Sequence, residues 1–288
     1  MHATARRRHA CAGTNDAERK RKKSKKSKKK TTKTAENSTT LKPVPSTGNA
    51  PPHTFSVDDV VEKPSIQPNF KGKMVVGAGI HKLDDDDENT LVVLLDFLEP
   101  DRLQKYLEKA SKVQRVQGKG LYNHMTPRYE VAYTTDGRPY NYGNKTRHTI
   151  EYPKHVRKLV KRMLRKIQKT FKAAGTSNAY TELSTGVDIE YGNDLALGGS
   201  IGAHSDDEMD WGMVAVFSLG QTRYFRVRAK ETRKGTRKWY NIPLKHNSLV
   251  VMHGKTFQKK YTHQVDKLKP KDSVGTRLSL NVRFLKGA

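Results

Sequence analysis

The stretch GGSIGAHSDDEMDWG (198–212) places His204, Asp206, Asp207, Glu208 and Asp210 within seven residues of a chain whose formal net charge is +27. Such an acidic cluster can be a solvated loop, a cation site or a carboxylate that does chemistry. Side chains two apart on a strand point the same way, so His204 and Asp206 can present an imidazole and a carboxylate to one point. His263, in KYTHQV, offers a third ligand from a separate stretch of strand pattern. Two histidines and one carboxylate on one face suit ferrous iron and leave three coordination positions open. A His-x-Asp pair also recurs by chance, and His263 alone fits an ordinary strand histidine. The ending GTRLSLNVRF adds to the case: Leu278, Leu280, Val282 and Phe284 face one way, Arg277, Ser279, Asn281 and Arg283 the other. The polar face is too charged for a closed core unless it meets an anion. Arg277 and Arg283 are roughly 20 Å apart at strand rise, and inward-leaning guanidinium arms can grip the two ends of a small dicarboxylate. The alternative is an exposed strand face with surface arginines.

These residues need a scaffold, and the periodicity supplies one. LVVLLDFL (91–98) reads as a buried strand, and EPDRLQKYLEKASKV (99–113) as a helix with Pro100 in its first turn and Leu103, Leu107, Ala110 and Val113 on one face. PKHVRKLVKRMLRKIQKTFKAAG (153–175) carries one apolar stripe from Val156 to Phe171, with Gly175 as its stop. Its opposite face is all Lys and Arg, a solvated helix back or a surface that tracks phosphates. The acidic run LDDDDENT (83–90) lacks the Gly and terminal Glu of a calcium loop, so a solvated linker is expected. After residue 180 the period becomes two: 183–191, 213–219, 222–229, 247–252, 260–265 and 276–284 all read as strands. Helices followed by strands imply an α+β domain, and a double-sheet, jelly-roll core closes such strands without long exposed edges.

Composition sets the outer limits. Hydrophobic residues make up 34% of 288, low for a chain folded throughout. The segment RKRKKSKKSKKK (19–30) holds ten Lys and Arg and no acid. Its Ser-, Thr- and Pro-rich surroundings cannot bury enough surface to offset chain entropy. A disordered basic tail is therefore expected over 1–73, and a folded domain over 74–288. The lysine run fits a nuclear-import signal and a nucleic-acid anchor, or else a solubilising tail. Lys and Arg number 56 against 29 acids, which implies a polyanionic partner, nucleic acid first and an anionic membrane surface second. No apolar run is long enough to span a membrane, and the N-terminus lacks the apolar core of a secretory signal. Cys11 alone cannot form an internal disulfide or a Cys-rich zinc site.

HSDDE, SLGQTRYFRVR, HNSLVVMHGKT, YTHQV and RLSLNVRF, in that order and spacing, resemble the AlkB family. Its members are dioxygenases that use Fe(II), 2-oxoglutarate and O2 to remove alkyl groups from nucleic-acid bases. The resemblance covers roughly 91–288 and includes a weaker similarity of 126–143 to the family's substrate lid. It implies a double-stranded β-helix core, with His204, Asp206 and His263 as iron ligands. Arg277 matches the arginine at the distal carboxylate of 2-oxoglutarate, and Arg283 the one near its 1-carboxylate. Tyr191 sits where the family often has a co-substrate-binding tyrosine. Ile189 and Ser279 stand where the family often has Asn, and Ser279 can still donate a hydrogen bond to the co-substrate.

On this resemblance, the expectation is a nuclear, monomeric demethylase of DNA or RNA. Asp207 and Glu208, on the rim of the iron site, would face a cationic methylated base. Tyr140 and Tyr142 would stack on the extruded base or pack beneath a hairpin. The alternatives are an oxygenase that stably hydroxylates tRNA or protein, and a noncatalytic nucleic-acid-binding module on the same fold.

Overall fold

The computed structural model describes residues 53–64, 70–83, 86–119, 125–134, 140–142, 145–147, 149–175, 183–193, 200–206, 211–230, 238–254, 256–268 and 275–286. By compactness the chain divides into Met1–Pro45 and Ser46–Ala288, and every described residue belongs to the second unit. The strands are β1 (Lys73–Met74), β2 (Gly79–Leu83), β3 (Asp86–Leu94), β4 (Val116–Lys119), β5 (Met125–Thr134), β6 (Tyr140–Tyr142), β7 (Lys145–Arg147) and β8 (Thr149–Glu151). They continue with β9 (Leu183–Asn193), β10 (Ile201–His204), β11 (Trp211–Gly220), β12 (Arg223–Ala229), β13 (Trp239–Leu244), β14 (Ser248–His253), β15 (Tyr261–Val265) and β16 (Arg277–Lys286). The helices are α1 (Pro100–Ala110), α2 (Lys154–Ala173) and a single turn, α3 (Phe257–Lys260).

Two sheets face each other. The larger runs β2-β3-β14-β11-β16-β9-β5-β4, with β8 beside β5; the smaller runs β1-β13-β12-β15-β10. Strands close in sequence alternate between the sheets, the winding of a double-stranded β-helix. Alternation then makes two cores. Val214 and Val216 of β11 and Val250 and Met252 of β14 point inward and meet Phe225, Val227, Tyr240 and Ile242 of the smaller sheet. Their neighbours Ala215, Phe217, Leu249 and Val251, with Leu278, Leu280, Val282 and Phe284 of β16, point outward onto α1 and α2. The larger sheet is thus the middle of three layers, and the expected α+β jelly roll is the architecture present.

The helices form where the apolar spacing required them. Val156, Leu159, Val160, Met163, Ile167 and Phe171 are all buried on one stripe of α2, each such side chain contributing roughly 1.5–3 kcal/mol. Gly175 follows with φ 70°, the left-handed conformation that ends a helix most cheaply in glycine.

Two expectations need correction. The acidic run at 83–90 is not a solvated linker: Leu83 ends β2 and Asp86–Thr90 begins β3, so it turns a hairpin. Asn89 and Thr90 there are buried, and Asn89 Nδ2 donates to Thr256 Oγ1 at 2.9 Å. The domain also begins before residue 74. His53 pairs with Arg115, Phe55 and Val60 are buried in the helix-side core, and Lys63 bridges to Gln221. A few apolar residues in a polar stretch are enough to dock it when a groove exists. Residues 1–52 and 65–69 of the expected tail lie outside the described residues.

Burial depresses the pKa of three histidines remote from the metal-ligand candidates: His155, His246 and His253. At His246, Glu62 and Asp96 oppose the effect without reversing it, and Nδ1 accepts from the Gly220 backbone N–H at 2.9 Å. Below the ordinary value of 6.5 the unfolded chain takes up protons that the native state refuses. Their contribution to stability is complete above that value and is lost as pH falls toward the native pKa. The thermal midpoint of metal-free protein should therefore decline on acidification from about pH 7 to about pH 5. His246→Asn, which keeps an acceptor and removes the titration, should make the decline shallower. An equal slope in the variant would remove His246 from the account.

Candidate metal centre

His204 ends β10 and lies directly opposite His263 of β15, across a pairing whose register shifts before His204. Opposed residues in antiparallel strands share a face. The two imidazole centroids are accordingly 4.2 Å apart. Two residues on, Asp206 is 1% exposed. Its backbone N–H donates to Gln258 Oε1 at 3.0 Å, which fixes the chain as it leaves β10. One ligand atom from each of His204, Asp206 and His263 lies within 4.8 Å of the others. Among the described residues this is the one such group of three or more.

The protonation states suit a cation. His204 Nδ1 is 2.8 Å from the Gly202 carbonyl oxygen. A carbonyl only accepts, so Nδ1 carries the proton and the Nε2 lone pair is available. Burial pushes His263 down to about 3, with His204 acting in the same direction and Asp206 against it, so its imidazole is neutral at physiological pH. Burial, the largest single influence, would raise Asp206, but the Arg283 guanidinium and the two histidines together outweigh it and hold the carboxyl at about 2. Arg283 Nη2 donates to Asp206 Oδ1 at 2.7 Å. Oδ2 lies 3.7 Å from His263 Nε2, and His263 Nδ1 is buried without a hydrogen-bond partner. Two imidazoles, that of His263 held neutral, and an ionised carboxylate make a donor set that fits Fe(II).

The polar face of β16 borders this set. Arg277, Ser279 and Arg283 lie opposite Gly220, Ser218 and Val214 of β11. Ser279 and Arg283 are buried. Arg277 Nη2 donates to Ser218 Oγ at 3.1 Å. The sequence placed both arginines at the ends of an anion; the structure instead engages Arg283 with the ligand carboxylate itself. Tyr191 of β9 stands in register with Asn281, one strand from β11, and nothing is described of its side chain. Tyr140 and Tyr142 fall on β6, in a separate two-stranded sheet with β7, where only the backbone is described. Asp207 and Glu208 lie outside the described residues. Gln258 escaped the sequence reading, since its partner is 52 residues away and FQKK carries no recognisable motif.

Comparisons with known proteins bear on this arrangement. The solved structure of OsALKBH1 superimposes with a TM-score of 0.51 at 17% identity, covering 67% of this chain and 97% of that one. An oxidoreductase of the 2OG-Fe(II) oxygenase family from Burkholderia pseudomallei gives 0.46 at 15% identity, covering 68% and 85%. The non-heme alpha ketoglutarate dependent epimerase SnoN from nogalamycin biosynthesis gives 0.44 at 12% identity, covering 68% and 78%. The first of these supports the fold. A comparison with curated protein sequences gave no match. The profile of the 2OG-Fe(II) oxygenase superfamily matches residues 90–283, which span all three candidate ligands and both arginines. With that match, and a His-Asp-His set that fits the metal, the chain belongs to the 2OG-Fe(II) oxygenase superfamily, whose cofactors are Fe(II), 2-oxoglutarate and O2.

Proposed function

We propose that this oxygenase removes N-linked methyl or alkyl groups from nucleic-acid bases. The observation that carries the substrate class is the charge: the chain holds 56 Lys and Arg against 29 acids, while its metal-ligand set is built on a buried carboxylate. A cationic methylated base on a polyanionic strand needs both, basic residues for the phosphates and acid near the base. The AlkB-like motifs point the same way.

In this reading His204, Asp206 and His263 hold Fe(II), which with 2-oxoglutarate and O2 supplies hydroxylation of a C–H bond and yields succinate and carbon dioxide. Arg283 keeps Asp206 ionised and oriented, beside the 1-carboxylate of the co-substrate. Arg277 takes the distal carboxylate, with Ser279 and Tyr191 as further contacts. Asp207 and Glu208 balance the charge of the methylated base, and Tyr140 and Tyr142 stack on it. A hydroxylated N-methyl group is a hemiaminal, which collapses to formaldehyde and the restored base. The lysine run at 19–30 directs a monomeric protein to the nucleus through the import machinery.

The test is a panel of methylated DNA and RNA oligonucleotides incubated with Fe(II) and 2-oxoglutarate and read by mass. Loss of the methyl group with stoichiometric formaldehyde supports the reading. A product that gains one oxygen and releases no formaldehyde overturns it in favour of stable hydroxylation. Asp207→Asn and Glu208→Gln then probe base recognition, because each removes charge and keeps volume. A carboxylate at the base should matter several-fold more for 1-methyladenine or 3-methylcytosine than for an uncharged ethenoadduct, equivalent to roughly 1–3 kcal/mol. Equal losses on both lesions would place that residue on the strand instead.

A further inference from the structure

Behind the larger sheet, α1 and α2 leave a groove of about 430 Å³ between them. From α1 it is lined by Arg102, Lys105 and Lys109, and from α2 by Lys158, Lys161, Arg162 and Arg165. Among the described residues no acidic side chain lines it. Leu98, Tyr106 and Leu159 supply an apolar floor. Among the described residues, none of the seven cations makes an ion pair; Arg165 Nε donates to the Lys161 carbonyl, an ordinary contact along the helix. Like charges three and four residues apart on a helix repel one another, so the arrangement costs stability that a bound polyanion would return.

We infer that this groove is a second nucleic-acid contact, gripping the phosphate backbone of a strand at a distance from the base undergoing reaction. Each helix carries its cations over seven residue-to-residue steps, a row of about 10 Å at helical rise. That matches about three phosphates of one strand at 3.4 Å per nucleotide. A small phosphorylated metabolite would not need charge spread along both walls. A membrane surface would need exposed apolar side chains beside the cations. Among the described residues the exposed large apolar side chains are Val61, Val76, Val116 and Ile150, and none of them lines the groove. His155, at its edge, has its pKa lowered by burial and then by Lys109 and Arg115, a sign of local positive potential.

The groove and the metal centre lie on opposite sides of one sheet. Leu278, Leu280, Val282 and Phe284 of β16 pack in one core with α1 and α2, while the alternate residues Arg277 and Arg283 face the other way. One nucleotide therefore cannot occupy both, and the groove acts on polymer long enough to wrap the domain edge. It extends the proposed function, yet it does not require that any base be demethylated.

The full chain is compared with its Lys105→Gln, Lys109→Gln, Lys158→Gln, Lys161→Gln variant. Binding to an unmodified 40-nucleotide strand is measured against salt. Loss of the roughly three phosphate contacts the groove spans should reduce the slope of log K on log salt by about 2, at about 0.7 per contact on single strands. Affinity near 0.1 M salt should fall tenfold or more, whereas turnover of a six-nucleotide methylated substrate should not change. The basic N-terminal segment is present in both proteins and cancels from the difference. Arginine at the same four positions should restore the slope, which separates charge from helix damage. If the quadruple variant does not fold, the Lys105→Gln, Lys158→Gln pair should show about half the change in slope. An unchanged slope overturns the inference. So does a variant that loses only its affinity for phosphatidylserine vesicles, which would assign the groove to membranes. The wild-type chain without Fe(II) and 2-oxoglutarate should keep its slope and show no turnover, so failure of the demethylase reading and failure of the groove are distinguishable.

Discussion

Asp206→Ala should abolish Fe(II) binding and turnover, and it should also lower stability more than loss of a ligand alone would. The absorption band that Fe(II) and 2-oxoglutarate give together under anaerobic conditions should vanish. The stability effect follows from Arg283, 3% exposed, whose guanidinium donates to Asp206 Oδ1 at 2.7 Å. Removing the carboxylate leaves a buried cation without its balancing charge, at a cost of roughly 3–5 kcal/mol. Inactivity of the single variant is thus ambiguous between lost ligand and lost fold. Asp206→Ala combined with Arg283→Met resolves it, because replacing both members of a buried pair with apolar groups is often neutral or stabilising. The double variant should melt near the wild type and still bind no iron. If it binds iron as the wild type does, Asp206 is not a ligand. If it melts as low as the single variant, the pair is not what the stability loss reports.

The residues most legible in the sequence were those whose role depends on strand alternation. Arg277, Ser279 and Arg283 were separable from Leu278, Leu280, Val282 and Phe284 by period alone, and the structure puts the second set in the helix-side core. His204 and His263 could be named as ligand types, but their direct opposition across β10 and β15 is a fact of pairing. What stayed hidden was hidden for local reasons. β13, WYNIPL, contains Pro243, which argues against a strand inside a sheet. Its neighbour β1 pairs only with Tyr240 and Asn241, so Pro243 lies beyond that edge and needs no donor there. The Asp-rich start of β3 has poor strand propensity, and its pairing with β2, Leu83 opposite Asp86, overrides it. Gln258 and the Asp206–Arg283 pair depend on long-range contacts, 52 and 77 residues apart, which no periodic signal encodes.

Arg277→Leu should raise the KM for 2-oxoglutarate by about two orders of magnitude, the loss of a charge-assisted pair worth roughly 2–4 kcal/mol once the bound co-substrate excludes water from it. The structure sharpens the reason. Arg283 is committed to Asp206, so among the two arginines of β16 only Arg277 lies away from the ligand carboxylate, opposite Gly220 at the far end of the inner face. Its Nη2 donates to Ser218 Oγ at 3.1 Å, a contact that orients the guanidinium. A dicarboxylate held at the metal by one end would reach toward it with the other. Three outcomes are separable in steady-state kinetics. A rise in KM at unchanged kcat means that Arg277 provides binding energy common to ground and transition states, as an anchor for the unreacting carboxylate should. A fall in kcat at unchanged KM would place it at the reacting end instead. No change in either would mean that the distal carboxylate is held elsewhere. Ser218→Ala should reproduce the KM effect weakly, by a few-fold, since it removes only the hydrogen bond that positions the arginine. If Ser218→Ala equals Arg277→Leu, orientation rather than charge is the larger part of co-substrate binding at this end of the strand.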